Sequence, residues 1–135
     1  EMCKTCQRSS EVRVKEMEQH PLFHIIDHAA ANKIPLECRL TAEHIDFTAN
    51  MIPHEIFRAS GVLIATAERC SSALHIDFRY VHTFTIHRAN IDDRAYSILE
   101  IYDTTGEKNL TLMSDAPDIE RVWLSICDEA REPGA

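Results

Sequence analysis

The stretch from residue 73 to residue 113 constrains the fold most, because it has the pattern of three consecutive amphipathic strands. Between Tyr80 and His87 the side chains alternate between the two sides of an extended chain, and residues 96–102 and 110–113 continue this pattern. A polar link at residues 90–94 and a turn-forming cluster at residues 103–108 separate the three segments. Alternation of β-branched and aromatic residues, interrupted by such clusters, predicts antiparallel hairpins.

The rest of the chain adds helices at both ends of this strand region. Pro21 suits the first position of a helix, and residues 22–29 carry an apolar stripe at helical spacing. Residues 32–35, from Asn32 to Pro35, are expected to end this helix. Residues 36–40, 45–51, 61–65 and 74–80 are strand-like. After Ser114 or Asp115 as a cap, with Pro117 and Asp118 in the first turn, a second helix is expected to pack on the sheet with Trp123 as its main anchor. The apolar face of this last helix consists of Ile119, Val122, Trp123, Ile126 and Ala130.

This order predicts an α+β fold with five to seven mostly sequential strands. Short connections favour antiparallel pairing, with an N-terminal and a C-terminal helix packed on the sheet. A length of 135 residues suits one domain. We expect residues 1–10 to form a flexible tail and residues 11–135 to form a single domain.

Composition excludes some classes of protein. A net charge of −8 argues against a general nucleic-acid-binding protein, which needs clustered Lys and Arg to neutralise phosphates. No apolar run is long enough for a membrane-spanning helix. The chain has five scattered cysteines and is long enough to fold without disulfide bonds. This suggests reduced thiols and a cytoplasmic location.

Histidines suggest one candidate metal site. Among the eight histidines, His24 and His28 are four residues apart on the first helix and therefore share a face, whereas His20 precedes Pro21 and is expected to lie outside the helix. A solvated helical face is the alternative interpretation. Cys3 and Cys6 form a Cys-x-x-Cys motif with no second pair, so they could join a metal site or simply belong to the tail.

Other chemistry-bearing residues lie in strands, where structural roles are common. His44, His75, His82 and His87 fall in strand-like segments, with His82 and His87 on opposite faces. Arginines on a sheet face can bind carboxylates through paired hydrogen bonds, or can simply face solvent. Only three glycines are present, and no nucleophile elbow or zinc-protease motif occurs, so nothing in the sequence supports an enzyme.

Residues 73–113 also carry a family resemblance. The segment "ALHIDFRYVHTFTIHRANIDDRAYSILEIYDTTGEKNLTLM" resembles the core of the haem-utilisation proteins of the HemS/ChuX/HutX-like superfamily, and the resemblance extends more loosely over residues 36–113. Leu112 and Met113 stand where the family has Lys-Ile. The residues that occupy the family's motif positions are His82, Ser97, Ile98, Ile101, Tyr102, Asp103, Gly106, Leu112 and Met113.

The resemblance implies a split-barrel-like antiparallel sheet, a homodimer and haem bound in a cleft. It places His44 near the family's haem-ligating histidine, with His82 as the second candidate ligand. Arg39 and Arg79 are then candidate partners of the haem propionates. Imidazole can coordinate the iron, and apolar side chains can cover the porphyrin.

Three hypotheses therefore stand side by side. The first is an intracellular, non-catalytic protein that binds or carries haem. The second is a ligand-free interaction or regulatory module that homodimerises through its sheet. The third is a small metal-binding protein that uses His24 and His28.

Overall fold

The computed structural model describes residues 17–69 and 71–131, with side chains up to residue 129. The expected tail, with Cys3 and Cys6, lies outside these residues. Within them two helices, preceded by a helical turn at residues 17–19, flank eight strands, so the α+β class is confirmed. The elements are α1 (Pro21–Ala31), β1 (Leu36–Ala42), β2 (Ile45–Met51), β3 (Pro53–Ala59), β4 (Val62–Ala67), β5 (Ala73–Asp77), a 3₁₀ turn (Phe78–Tyr80), β6 (Thr83–Ile91), β7 (Arg94–Tyr102), β8 (Lys108–Ser114) and α2 (Ile119–Arg131).

The strands form two antiparallel sheets. The larger has the order β2-β1-β8-β7-β6, and the smaller has the order β3-β4-β5. Leu40 of β1 pairs with Leu110 of β8, Leu110 with Ile101 of β7, and Ile101 with Phe84 of β6. These four residues therefore form one row across the larger sheet. The row shows which strand ends lie at the same end of this sheet.

Two hairpins use tight turns with left-handed backbone conformations. Ser60 and Gly61 link β3 to β4 with φ values of 50° and 85°, and Asp92 and Asp93 link β6 to β7 with φ values of 52° and 65°. Two-residue turns with positive φ match the right-handed twist of the strands that they join. The polar link expected at residues 90–94 is thus a two-residue turn, with Ile91 and Arg94 already paired.

The core lies between the sheets and the two helices. Leu22, Ile25 and Ile26 of α1 are fully buried, as the apolar stripe predicts. Trp123 of α2 is also fully buried, and it packs in the same cluster as Leu99 and other strand residues. The expected anchoring role of Trp123 is therefore confirmed.

Some boundaries differ from the expectations. The described residues contain eight strands rather than five to seven, because Pro53 starts a strand instead of interrupting one. The first position of a strand does not need the N–H that proline lacks. Tyr80 and His82 lie outside a strand, since the Asp77 carboxylate accepts a hydrogen bond from the Arg79 N–H and caps a 3₁₀ turn. Helix α2 begins at Ile119, after the turn that contains Pro117.

Candidate functional site

Arg79 and His82 lie in the connection between the two sheets. The Arg79 guanidinium forms an ion pair with Asp77 through both carboxylate oxygens, and it lies 5.6 Å from the Tyr80 ring centre. Hydrogen bonding and the charge of Asp77 raise the pKa of Arg79 further above its usual value. The backbone N–H of His82 donates to the Tyr102 carbonyl at 2.9 Å. This bond places the residue, whose imidazole is exposed, at the start of β6.

His20 faces the same region from the start of α1. Its Nδ1 accepts a hydrogen bond from the Leu22 N–H at 3.1 Å, so this side chain is the N-cap of the helix. Its ring packs edge-on against Phe78, with ring centres 5.1 Å apart, and lies 5.9 Å from Phe84. Burial, assisted by the nearby His24, lowers the pKa of His20 below its ordinary value, so the ring is neutral near pH 7.

The tautomer of His20 determines what its ring can offer to a ligand. Because Nδ1 accepts from a backbone N–H, the neutral ring carries its proton on Nε2. A ring that ligates a metal through Nε2 instead donates its other N–H to an acceptor. His20 is therefore suited to donate a hydrogen bond from Nε2 rather than to ligate a metal.

Two adjoining clefts meet at His20 and His82. One has a volume of about 420 Å³ and also contains Phe78 and Arg79. The other has a volume of about 490 Å³ and extends between β6 and α2. Each volume falls within the range of small-molecule sites, about 300–1,000 Å³. The apolar walls of the second cleft are Phe84, Ile86 and Leu124, with Cys127 beside them.

The joined clefts bring together the groups that a flat, apolar and anionic ligand requires. His82 supplies an imidazole, Arg79 supplies a guanidinium, and Phe84 with its apolar neighbours supplies a surface for a ring system. The sequence analysis named His82 and Arg79, and the structure places them in one cleft. The sequence did not indicate that α2 forms one wall of the second cleft. Leu124 and Cys127, which line that wall, lie to one side of the apolar stripe that marks the buried face of the helix.

His44 and Arg39 lie elsewhere. His44 is in the turn between β1 and β2, where its side chain is 87% exposed and its Nε2 is 3.6 Å from the Glu43 carboxylate. It is at the same end of the larger sheet as His82, but β1 and β6 are three strand spacings apart, about 14 Å. Arg39 points to the opposite face of β1 from Leu40 and donates to Thr48 Oγ1 at 3.4 Å.

His24 and His28 line a separate cleft of about 570 Å³ beside α1. His24 is exposed, whereas Nδ1 of His28 is buried and has no hydrogen-bond partner among the described residues. Asp27 and Glu129 also border this cleft. Even so, no group of three or more His, Cys, Asp or Glu side chains in residues 17–69 and 71–131 is arranged to hold a metal ion.

The remaining strand histidines lie outside the joined clefts. His87 is on the outer face of the larger sheet, and its Nε2 is 3.1 Å from the Glu100 carboxylate. Lys108 donates to the other oxygen of Glu100 at 2.8 Å, and this bond is the main reason why the pKa of Glu100 lies below its usual value. These side-chain contacts connect strands β6, β7 and β8 on the outer face of the sheet. His75 is exposed on β5.

Cys38 is a buried free thiol. Burial, assisted by the charge of Glu37, raises the pKa of Cys38 to about 11, so this thiol is unreactive at neutral pH. Neither described helix is long and apolar enough to cross a membrane.

The two-sheet fold is similar to that of solved structures of proteins that bind or degrade heme, as the resemblance at residues 36–113 led us to expect. No protein-family model matches the chain, and no curated protein matches it in sequence. Solved structures provide the comparison.

The similar solved structures include those of ChuS, PhuS and ChuX. ChuS, a heme oxygenase from E. coli, matches with a TM-score of 0.65 and 12% identity over 79% of this chain and 34% of ChuS. PhuS, a heme-binding protein from Pseudomonas aeruginosa, matches with a TM-score of 0.62 and 14% identity over 78% of this chain and 31% of PhuS. The heme-binding protein ChuX matches with a TM-score of 0.59 and 8% identity over 82% of this chain and 73% of ChuX. The chain thus spans about a third of ChuS and PhuS, and these identities establish the fold alone.

Proposed function

We propose that this protein binds haem in the joined clefts between the start of α1, the 3₁₀ turn, β6 and α2. The observation that carries the proposal is the meeting of His82, Arg79 and an apolar wall in one place. In this proposal His82 ligates the iron and Arg79 binds a propionate. The shared fold with ChuX and PhuS, whose structures are of heme-binding proteins, supports the choice of ligand.

Other residues of the clefts fit a porphyrin. Phe84, Ile86 and Leu124 would cover a face of the ring, and burying such apolar area favours binding. His20 would donate from Nε2 to a second carboxylate. The Asp77–Arg79 pair must be loosened for Arg79 to reach a propionate, so Asp77 sets part of the cost of binding.

We further propose that the role is non-catalytic and intracellular: the protein carries or buffers haem inside the cell, as a homodimer. No sequence motif for catalysis accompanies the site, and the free thiol of Cys38 suits a reducing compartment. Loss of the haem spectrum upon addition of a reductant and oxygen would instead indicate degradation.

Haem titration followed by absorption spectroscopy tests the site. The wild-type protein should shift the Soret band of haem, and His82→Ala should abolish that shift. Arg79→Ala should weaken binding about 10- to 150-fold, because a charge-assisted hydrogen bond contributes ~1.5–3 kcal/mol. His44→Ala is a matched control, since it removes an exposed imidazole at the other edge of the sheet.

Each outcome is informative. A wild-type spectrum in His82→Ala refutes the proposed ligand. Loss of the shift in His44→Ala alone would place the site at the β1–β2 turn instead. Absence of any shift in the wild-type protein would remove the haem proposal altogether.

A further inference from the structure

Helix α1 presents two histidines to a cleft that the proposed haem site does not use. His24 and His28 are four residues apart, so they lie on consecutive turns of one helical face, with Cβ atoms about 5–6 Å apart. Both line the cleft of about 570 Å³ beside α1, together with Asp27 of the same helix and Glu129 of α2. Two histidines at this spacing on a helix can bind one metal ion, as they do in helical zinc sites.

The charges around this cleft favour a cation. Glu18 also borders the cleft, but its carboxylate is paired with Arg58, whose Nε lies 2.6 Å away. Neither Asp27 nor Glu129 forms an ion pair with another described residue, and none of the described residues that line the cleft is Lys or Arg. A cleft lined by one sign of charge raises the local concentration of the opposite ion. Two carboxylates without a positive partner therefore border the same space as the two imidazoles.

His28 supplies a second, independent indication of a ligand. Its Nδ1 atom is buried and has no hydrogen-bond partner among the described residues. Buried polar atoms are nearly always satisfied, and an ion is one of the partners that satisfies them where the protein offers none. The imidazole ring can turn about its last side-chain bond, because rotation about that bond is broad, and this brings either ring nitrogen to the cleft. A metal ion would therefore give the unpaired nitrogen the partner that the fold does not supply.

We infer that His24, His28 and Glu129 form a binding site for a divalent transition-metal ion of the zinc type. Two neutral imidazoles and one carboxylate are a common set of zinc ligands, and they leave a fourth position for water. Mg²⁺ and Ca²⁺ are disfavoured, because these ions prefer sites built from oxygen ligands. Asp27 adds negative charge beside the site without being a required ligand. The site is separate from the joined clefts and does not depend on haem binding.

The three ligands come from two helices, and this determines what the ion does for the fold. Helices α1 and α2 pack against each other, and the cleft lies between them. Glu129 is in the last turn of α2, which ends at Arg131. An ion bound to His24, His28 and Glu129 therefore links the end of α2 to α1. Because the site exists only in the folded protein, the ion should raise the free energy of unfolding.

The ligands are not preorganised, so the affinity should be moderate. The three side chains do not already surround a common point. His24 and Glu129 are exposed and can change rotamer, whereas His28 is partly buried and needs only to turn its ring. Ordering exposed side chains reduces the net binding free energy. We therefore expect a micromolar Kd for Zn²⁺, weaker than that of structural zinc sites whose ligands are held in place.

Isothermal titration of the full-length, haem-free protein with ZnCl₂ tests the inference. The parent protein carries Cys3→Ser and Cys6→Ser and no polyhistidine tag, because two thiols at this spacing can contribute to zinc binding by themselves. His24→Ala and His28→Ala should each weaken zinc binding at least about tenfold, since even residues that only support a metal ligand change the affinity by about 10–100-fold. Glu129→Gln removes the charge and keeps the size, and it should also weaken binding.

Unfolding provides a second measurement that does not rely on the heat of binding. Saturating Zn²⁺ should raise the urea midpoint of the parent protein and should leave that of His24→Ala unchanged. His24 is exposed, so its replacement tests the site without disturbing the core. Far-UV circular dichroism establishes that each variant is folded.

Two controls keep this site apart from the rest of the protein. His75→Ala removes an exposed imidazole from β5, and His82→Ala removes the proposed haem ligand; both should leave zinc binding unchanged. Absence of zinc binding in the parent protein overturns the inference, as does binding that survives His24→Ala or His28→Ala. Equal weakening by His75→Ala or His82→Ala also overturns it, because the ion would then bind elsewhere. Zinc binding that is unaffected by Glu129→Gln overturns the link between the two helices.

Discussion

Trp123 offers a prediction in which two energetic effects oppose each other. The side chain is fully buried, and its Nε1–H has no hydrogen-bond partner among the described residues. Trp123→Ala should destabilise the protein by ~3–5 kcal/mol, the usual cost of removing a large core aromatic. Trp123→Phe should behave very differently, because it removes the unpartnered N–H together with part of the ring.

The expected magnitude for Trp123→Phe is close to zero. The smaller ring leaves a void of about 40 Å³, which costs about 1 kcal/mol at the measured dependence of stability on cavity volume. Removing a buried, unpaired donor recovers ~1–3 kcal/mol of desolvation penalty. The net change in the free energy of unfolding should therefore be within about 1 kcal/mol of the wild type.

Urea unfolding followed by far-UV circular dichroism measures these changes, because Trp123 is the single tryptophan and its fluorescence is lost in both variants. Leu112→Ala, at another fully buried core position, provides a reference for the cost of a cavity. Equal m-values would show that the variants unfold from the same native state. Destabilisation of Trp123→Phe by ~2 kcal/mol or more would refute the reasoning, since it would mean that the indole N–H has a partner.

Two further predictions concern the cap and a turn. The pKa of His20 is lowered by burial, so the unfolded chain takes up a proton at higher pH than the folded protein, and stability should fall as pH drops below about 6.5. His20→Asn keeps a cap acceptor without titrating, so its urea midpoint should depend less on pH between 5 and 7; an unchanged pH dependence contradicts the assignment. Replacing Asp92-Asp93 by Asn-Gly should stabilise the protein by ~0.5–1 kcal/mol, because both positions have positive φ, and a lower thermal midpoint would contradict this.

The local elements could be predicted from the sequence because their signals are local. Pro21 and the apolar stripe after it mark α1, and Asn32 closes the helix as expected. The turn after β7 follows from Asp103, whose carboxylate accepts hydrogen bonds from the Thr105 and Glu107 N–H groups. These bonds, with those from the Thr105 hydroxyl and the Asn109 side chain, hold the pKa of Asp103 well below its usual range.

The site could be predicted only in part, because it depends on packing between distant segments. The residue types of His82 and Arg79 suggested ligand chemistry, but nothing in the sequence indicates that the start of α1 lies against the start of β6. The 3₁₀ turn that precedes His82 is capped by the Asp77 carboxylate, which accepts a hydrogen bond from the backbone N–H of Arg79. This turn interrupts an otherwise strand-like pattern. Our proposal of His82 rather than His44 as the iron ligand therefore depends on the tertiary structure.

The pairing of β1 with β8 has a consequence for synthesis of the chain. Five of the six strand pairings in the described ranges join consecutive strands, whereas Leu40 and its partner Leu110 are 70 residues apart. During translation at about 5–20 residues per second, the β1–β2 hairpin leaves the ribosome several seconds before its partner strand exists. The nascent hairpin therefore waits with both of its long edges unpaired, and such edges can pair with other chains until β8 has been synthesised.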